Sequence, residues 1–226
     1  MSKHLFFRAV RRLFQLYGGR YQIPTQQELD GPCVMICHHG NMVGPLYTLA
    51  YLPVGIRPWI LSLFCEKEGC REQLASYTLP VRCHIPRRLA ELLAWMVSGL
   101  VVRLIQDAQP IPVYRGSARS LSTCRQTVEE LERGGRVILF PDVDYIAAAD
   151  EEGAMYQGFA LIARLYYART GKPMDFLPVH VSRGRHVIAA GQRVRFEGGE
   201  FDRQAGSRLV QQIAREMDAL TEKYGI

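Results

Sequence analysis

Blocks of apolar residues alternate with polar segments along the chain, and their lengths predict the order of the elements. The apolar run at residues 33–37 ends at two histidines and a glycine, which is typical of a buried strand that leads into a loop. Shorter apolar runs predict further strands at residues 58–64, 111–116, 136–140 and 176–181.

Segments with apolar residues at helical spacing lie between these strands. Residues 120–133 form one such segment, ended by two glycines, and residues 157–170 form another, closed by Gly171 and Pro173. Strands that alternate with helices in this way predict an α/β fold with a largely parallel central sheet flanked by helices. In such folds, ligands bind at the carboxyl ends of the strands.

The N-terminal residues 1–22 predict an amphipathic helix followed by a single domain at residues 23–226. Phe6, Val10, Leu13 and Tyr17 share one face of this helix, and several arginines lie opposite. A cationic helix of this kind either lies on a membrane surface or docks on its own domain, and the pattern leaves both open. No repeat, low-complexity tract or linker interrupts the rest of the chain.

Residues 89–105 are the most apolar helical segment of the sequence. The segment contains Glu91 and Arg103 and is shorter than the roughly 20 residues that span a membrane. It is therefore predicted to be a core or interfacial helix and not a transmembrane one.

Composition and charge narrow the function classes. The chain has 226 residues, of which 48% are hydrophobic, so it is too apolar for a disordered protein. The formal net charge of +6 indicates an anionic partner: a phosphorylated small molecule, a lipid surface or nucleic acid. No nucleic-acid recognition motif is present, so no nucleic-acid partner is expected.

The cysteines predict a reducing compartment. Six of them stand at irregular spacings, several inside apolar segments, and no secretory leader pattern precedes them. We expect a cytoplasmic protein whose thiols are mostly small core residues. Cys33, Cys37, His38 and His39 lack a second ligand pair at the spacing of a zinc site, so no metal is expected.

Four short motifs follow one another at the predicted strand ends. They are HHGNMVGP at residues 38–45, IPVYR at 111–115, FPDVDY at 140–145 and LPV at 177–179. In this order they resemble the motifs of the lysophospholipid acyltransferase family, which includes 1-acyl-glycerol-3-phosphate acyltransferase. The resemblance covers residues 31–181.

The resemblance implies a single-domain glycerolipid acyltransferase-like fold that moves a fatty acyl group from acyl-CoA or acyl carrier protein to a lysophospholipid-like hydroxyl. It implies that His39 is the general base and that Asp142 is a catalytic residue that contacts the acceptor. Arg115 would bind phosphate through its planar guanidinium, with Asn41 and Asp144 as further substrate-binding residues. It implies no cofactor beyond the acyl donor, and a peripheral location on the cytoplasmic face of an anionic membrane.

One departure from the family pattern bears on the chemistry. The aspartate that orients the catalytic histidine in the family falls at Gly44 in this chain. Spoiling the equivalent aspartate of a serine protease costs about 10⁴ in rate. Asp142, Asp144, Asn41 or His38 are the candidates for orienting His39 instead. Two alternative functions stay open: a catalytically inactive protein that binds lipid or acyl-CoA, and a thioesterase.

Overall fold

The computed structural model describes residues 5–40, 42–114, 119–141, 154–199 and 202–225. Contacts divide the chain into two compact units. One comprises Met1–Val10 and Pro58–Thr123, and the other comprises Arg11–Arg57 and Cys124–Ile226. We call them the helical unit and the sheet unit. The division into a helix at residues 1–22 and one domain at 23–226 stays a prediction.

The elements of the sheet unit follow the predicted α/β order. Its strands are β1 (Cys33–Cys37), β4 (Arg136–Leu139), β5 (Met174–Ser182), β6 (Val187–Ala190) and β7 (Val194–Phe196). Its helices are α2 (Val43–Tyr51), most of α5 (Ser120–Glu132), α6 (Ala154–Thr170) and α7 (Arg203–Tyr224). The strands at 33–37, 136–140 and 176–181 are confirmed within two residues at each end.

Strand β1 is the centre of this sheet. It pairs in parallel with β4, where Ile36 faces Leu139, and in parallel with β5, where Cys37 faces Val179. β6 and β7 add to β5 in antiparallel orientation. All five residues of β1 are buried, as expected for a parallel strand covered on both faces. The α/β class with a mostly parallel sheet flanked by helices is thus confirmed.

The two faces of β1 lie toward different helices. Cys33, Met35 and Cys37 belong to a core cluster that includes Ala50 and Tyr51 of α2. Side chains alternate along a strand, so Val34, Ile36 and the following His38 turn to the opposite face. Helix α7 packs along β5, and the side chain of Asp202 accepts a hydrogen bond from the amide of Ala205 at its N-terminus (2.7 Å).

The helical unit consists mainly of helices, with two short strands. It contains β3 (Ile111–Val113), most of β2 (Ile56–Leu61), a 3₁₀ turn (Ser62–Cys65), α3 (Lys67–Gln73), a π-helix (Leu74–Arg82) and α4 (Arg87–Asp107). β2 and β3 pair in parallel, with Trp59 opposite Ile111. α4 is longer than predicted and, by length and composition alone, could cross a membrane. Its predicted core or interfacial role stays a prediction.

Helix α1 (Leu5–Gly18) docks by an unexpected side. Leu13, Leu16 and Tyr17 are exposed, whereas Arg11, placed on the polar face by the sequence pattern, is only 9% exposed. Its guanidinium donates to the carbonyl groups of Ala50 (3.0 Å) and Leu52 (2.6 Å) at the end of α2. The carbonyl groups that end a helix lack partners within it, so a buried arginine is well placed there.

Arg11→Met should therefore lower the free energy of unfolding by about 1–3 kcal/mol, because it leaves the buried Leu52 carbonyl without this donor. The Ala50 carbonyl keeps the Gln15 side-chain amide (2.6 Å), which limits the loss. Urea unfolding followed by circular dichroism measures the change. Arg12→Met, at the exposed neighbouring position, is the matched control and should leave stability unchanged. Equal losses in both variants would contradict the capping role of Arg11.

Candidate functional site

The candidate site is the loop that follows β1. Three hydrogen bonds between backbone atoms fix its described part, together with one from the Met42 amide to the His39 imidazole. The amide of His39 donates to the carbonyl of Pro141 (3.4 Å), which follows β4. The amide of Gly44 donates back to the carbonyl of His39 (3.2 Å), and the amide of Val43 donates to that of Gly40 (3.1 Å). The first and third motifs, about a hundred residues apart in the sequence, therefore meet at the carboxyl end of the sheet.

The imidazole of His39 is held from the start of α2. Met42 adopts a left-handed backbone conformation (φ 75°), which is uncommon for a residue with a side chain, and its amide donates to Nδ1 of His39 (3.3 Å). In the neutral ring this bond requires the proton to be on Nε2. His39 is partly exposed, so solvent reaches the ring.

Gly44 has no room for a side chain. A Cβ atom at this position would meet the carbonyl oxygen of His38 closer than real Cβ contacts allow, and would lie 3.0 Å from the carbonyl carbon and 3.3 Å from Sγ of Cys37. The obstacle is mainly backbone, which cannot move aside as a flexible side chain can. An aspartate at this position is thus excluded by the path of the chain.

The next turn of α2 reinforces this close approach. The hydroxyl of Thr48 is buried and donates to the carbonyl of Gly44 (2.6 Å). Cys37 lies beneath, and burial raises the pKa of its thiol to about 12. The floor of the loop is therefore tightly packed and carries no ionised group at neutral pH among these residues.

His38 faces the other side of the sheet. The β1–β5 register places it beside His180, and its Nδ1 is buried without a hydrogen-bond partner in the part of the chain that the structure describes. Burial and the neighbouring His180 lower the pKa of His38, and Asp218 of α7 opposes this shift. His180 is a buried core histidine, and its Nε2 donates to the Gly225 carbonyl (2.7 Å).

The other candidate residues lie outside the described residues. These are Asn41, Arg115, Asp142 and Asp144. Their assigned roles, and the residue that orients His39, stay predictions. Of the predicted catalytic and substrate-binding residues, the structure therefore describes His39.

No metal centre is found in the described ranges. No group of three or more histidine, cysteine, aspartate or glutamate side chains there is arranged to hold a metal ion. Cys33 and Cys37, weighed as metal ligands from the sequence, are instead buried in the core under α2.

The chain was compared with protein-family models, with curated proteins and with solved structures, and none of the three comparisons found a match. The acyltransferase resemblance therefore rests on the four sequence motifs.

Gly44→Ala should destabilise the sheet unit by about 1–3 kcal/mol, since the added methyl group forces α2 away from the backbone of His38. Gly184→Ala is the matched control, because a Cβ there meets nothing within 4 Å. Thermal and urea unfolding compare the two variants. If Gly44→Ala is as stable as the wild type, the close approach of α2 to His38 is wrong.

The thiols should divide into reactive and protected classes. Burial raises the pKa of Cys33 and Cys124 to about 11, and Cys70 is also buried with a raised pKa, so none of these three or Cys37 offers a thiolate at neutral pH. Ellman's reagent should react rapidly with the exposed Cys83, more slowly with the half-buried Cys65, and with the other four only after unfolding. Cys83→Ser should remove the rapid phase. Rapid reaction of a buried thiol would contradict this assignment.

Proposed function

We propose that the protein is an O-acyltransferase that moves a fatty acyl group from acyl-CoA or acyl carrier protein to a lysophospholipid-like hydroxyl. The observation that carries the proposal is the hydrogen bond from the His39 amide to the Pro141 carbonyl, since it joins the first and third motifs at one sheet edge. Parallel α/β sheets bind their ligands at this edge.

In the proposed reaction, His39 takes the proton of the acceptor hydroxyl as its oxygen attacks the thioester carbonyl. The new carbon–oxygen bond forms, the carbon–sulfur bond breaks, and the proton passes from the imidazole to the leaving thiolate. In the structure, Nδ1 accepts a hydrogen bond from the Met42 amide. If Nδ1 is the base, this hydrogen bond must break so that Nδ1 can accept one from the hydroxyl of the acceptor. Arg115 and Asp142 are proposed to contact the acceptor phosphate and hydroxyl groups.

The acceptor is proposed to lie in a membrane surface. A lysophospholipid-like alcohol concentrates in the bilayer, and a chain of net charge +6 is attracted to anionic lipid. We therefore propose a peripheral protein of the cytoplasmic membrane face.

A second candidate function is a catalytically inactive protein that binds lipid or acyl-CoA. The packing at Gly44 favours it, because no carboxylate can stand there to orient the imidazole. The hydrogen bond from Met42 favours it too, since a donor at Nδ1 opposes protonation of that nitrogen. A cysteine-dependent thioesterase gains no support from the buried thiols, whose pKa values are raised.

The test is acyl transfer by the purified full chain from long-chain acyl-CoA, and separately from acyl-carrier-protein thioester, to a panel of lysophospholipids and amphipathic alcohols. His39→Ala should lower kcat/KM by about 100-fold or more, the contribution of a positioned general base. His84→Asn is the matched control: His84 is exposed with a left-handed backbone (φ 55°), which asparagine tolerates. Its activity should equal that of the wild type.

Three results contradict the acyltransferase proposal or its mechanism. Binding of acyl-CoA without turnover of any acceptor supports the inactive binder. Release of free fatty acid with no acceptor present supports a thioesterase. Turnover that is unchanged in His39→Ala removes His39 from the mechanism.

A further inference from the structure

Helix α4 packs with its small residues inward and its large residues outward. Ala90, Ala94 and Ser98 are fully buried at four-residue spacing, against a core that includes Cys70 and Leu74. On the opposite face, Trp95 is 65% exposed, Met96 59% and Leu92 54%. A helix on the surface of a globular protein normally buries its large apolar residues, whereas α4 exposes them and buries its small ones.

The exposed apolar surface is continuous along the helix. Leu89, Leu92, Met96 and Leu100 follow one another at spacings of three and four residues, which places them in one stripe, and Trp95 borders it. Exposed Tyr77 and Val81 add to the apolar surface of the adjacent π-helix. Single exposed apolar residues are common, but a continuous stripe of large ones marks an interaction surface. We use the name apolar stripe for five residues of α4: Leu89, Leu92, Trp95, Met96 and Leu100.

The charges on the exposed side of α4 select the partner. That side bears Arg87, Arg88 and Arg103. Glu91 is paired with Arg87 (3.4 Å), and the partly buried Asp107 at the end of the helix accepts a hydrogen bond from the amide of Phe7 (3.3 Å). The exposed side of α4 therefore carries a net positive charge, with Arg88 and Arg103 at the two ends of the apolar stripe. The guanidinium of Arg103 lies over the ring of Phe6 (5.1 Å), which holds it near the helix.

Apolar residues flanked by arginine, with an exposed tryptophan, match an anionic bilayer surface. The large side chains enter the boundary between headgroups and acyl chains, and the arginines remain among the phosphates. Tryptophan favours this boundary because its ring is apolar and its N–H is polar. A second copy of the chain fits less well, since it would bring like charges together at both ends of the stripe.

We propose that α4 lies flat on anionic membranes through the apolar stripe, with Arg88 and Arg103 contacting lipid phosphates. The buried face of small residues stays packed on α3 and the π-helix, so the helix lies along the surface and does not cross the bilayer. The inference adds a surface to the membrane association proposed above. Its test uses no acyl donor or acceptor, so failures of docking and of acyl transfer are separate results.

The experiment is co-sedimentation of the full chain with vesicles of phosphatidylglycerol and phosphatidylcholine, beside vesicles of phosphatidylcholine alone. The wild type should bind the anionic vesicles preferentially, and less at high salt. The double variant Leu92→Ser/Met96→Ser should lower the partition coefficient at least about tenfold, because two large side chains no longer enter the bilayer. Arg88→Gln should reduce the preference for the anionic vesicles.

Two controls separate docking from folding and from other surfaces. Leu121→Ser changes an equally exposed leucine of α5 and should bind as the wild type does. Tryptophan emission should shift to the blue on vesicle binding in the wild type but not in Trp95→Phe. The thermal unfolding of every variant should match that of the wild type, as the substituted side chains are exposed.

Three results overturn the proposal. The first is equal binding by the wild type and the double variant, which moves the contact to another surface such as α1. The second is no vesicle binding by the wild type under any salt condition. The third is a concentration-dependent dimer that the double variant abolishes, which assigns the apolar stripe to a second copy of the chain.

Discussion

The backbone of α2 lies against the carbonyl group of His38 at Gly44, and the geometry of the candidate site depends on this close approach. It brings the start of α2 over the end of β1, where the amide of Met42 reaches the His39 imidazole. The left-handed conformation of Met42 is the local cost of so tight a turn, of order 1–3 kcal/mol for such strain. Thr48 donates to the Gly44 carbonyl and holds the helix in place. A side chain at residue 44 would separate these groups.

The central position of β1 explains why distant motifs converge. Parallel pairing with β4 and β5 aligns the carboxyl ends of three strands, so Pro141 after β4 and His180 in β5 lie beside the two histidines that follow β1. The alternation of side chains then sends His38 toward α7 and leaves His39 to the turn that begins α2. Two adjacent imidazoles thus occupy different environments: Nδ1 of His38 is buried beside another histidine, and Nδ1 of His39 accepts a hydrogen bond from the Met42 amide.

Much of the sheet could be predicted from the sequence because buried parallel strands are short runs of apolar residues bounded by glycine, proline or charge. β1 and β5 show this pattern clearly. The sequence analysis does not include helix α7, although Asp202 offers an N-cap and Leu209, Ile213, Met217 and Leu220 recur at helical spacing. The docking side of α1 also differs from the prediction, since spacing alone does not indicate that an arginine will be buried to cap another helix.

At the site, the sequence indicated His39 and the absence of aspartate at residue 44. It did not indicate that the backbone leaves no space there, because a close approach is a tertiary contact that the glycine alone does not reveal.

The group that holds His39 differs in kind from a carboxylate. A carboxylate accepts a hydrogen bond from an imidazole N–H and stabilises the ring when it becomes positively charged, whereas the Met42 amide donates to Nδ1 and opposes protonation there. A negative group from another part of the chain would stabilise the protonated ring in the proposed general-base role of His39. Because residue 44 has no room for a carboxylate, such a group would come from another segment that reaches the same sheet edge. Asp142 follows Pro141 directly in the sequence, and the Pro141 carbonyl already accepts the His39 amide. This proximity along the chain makes Asp142 the first residue to test as the partner of His39, ahead of Asp144 two residues further on.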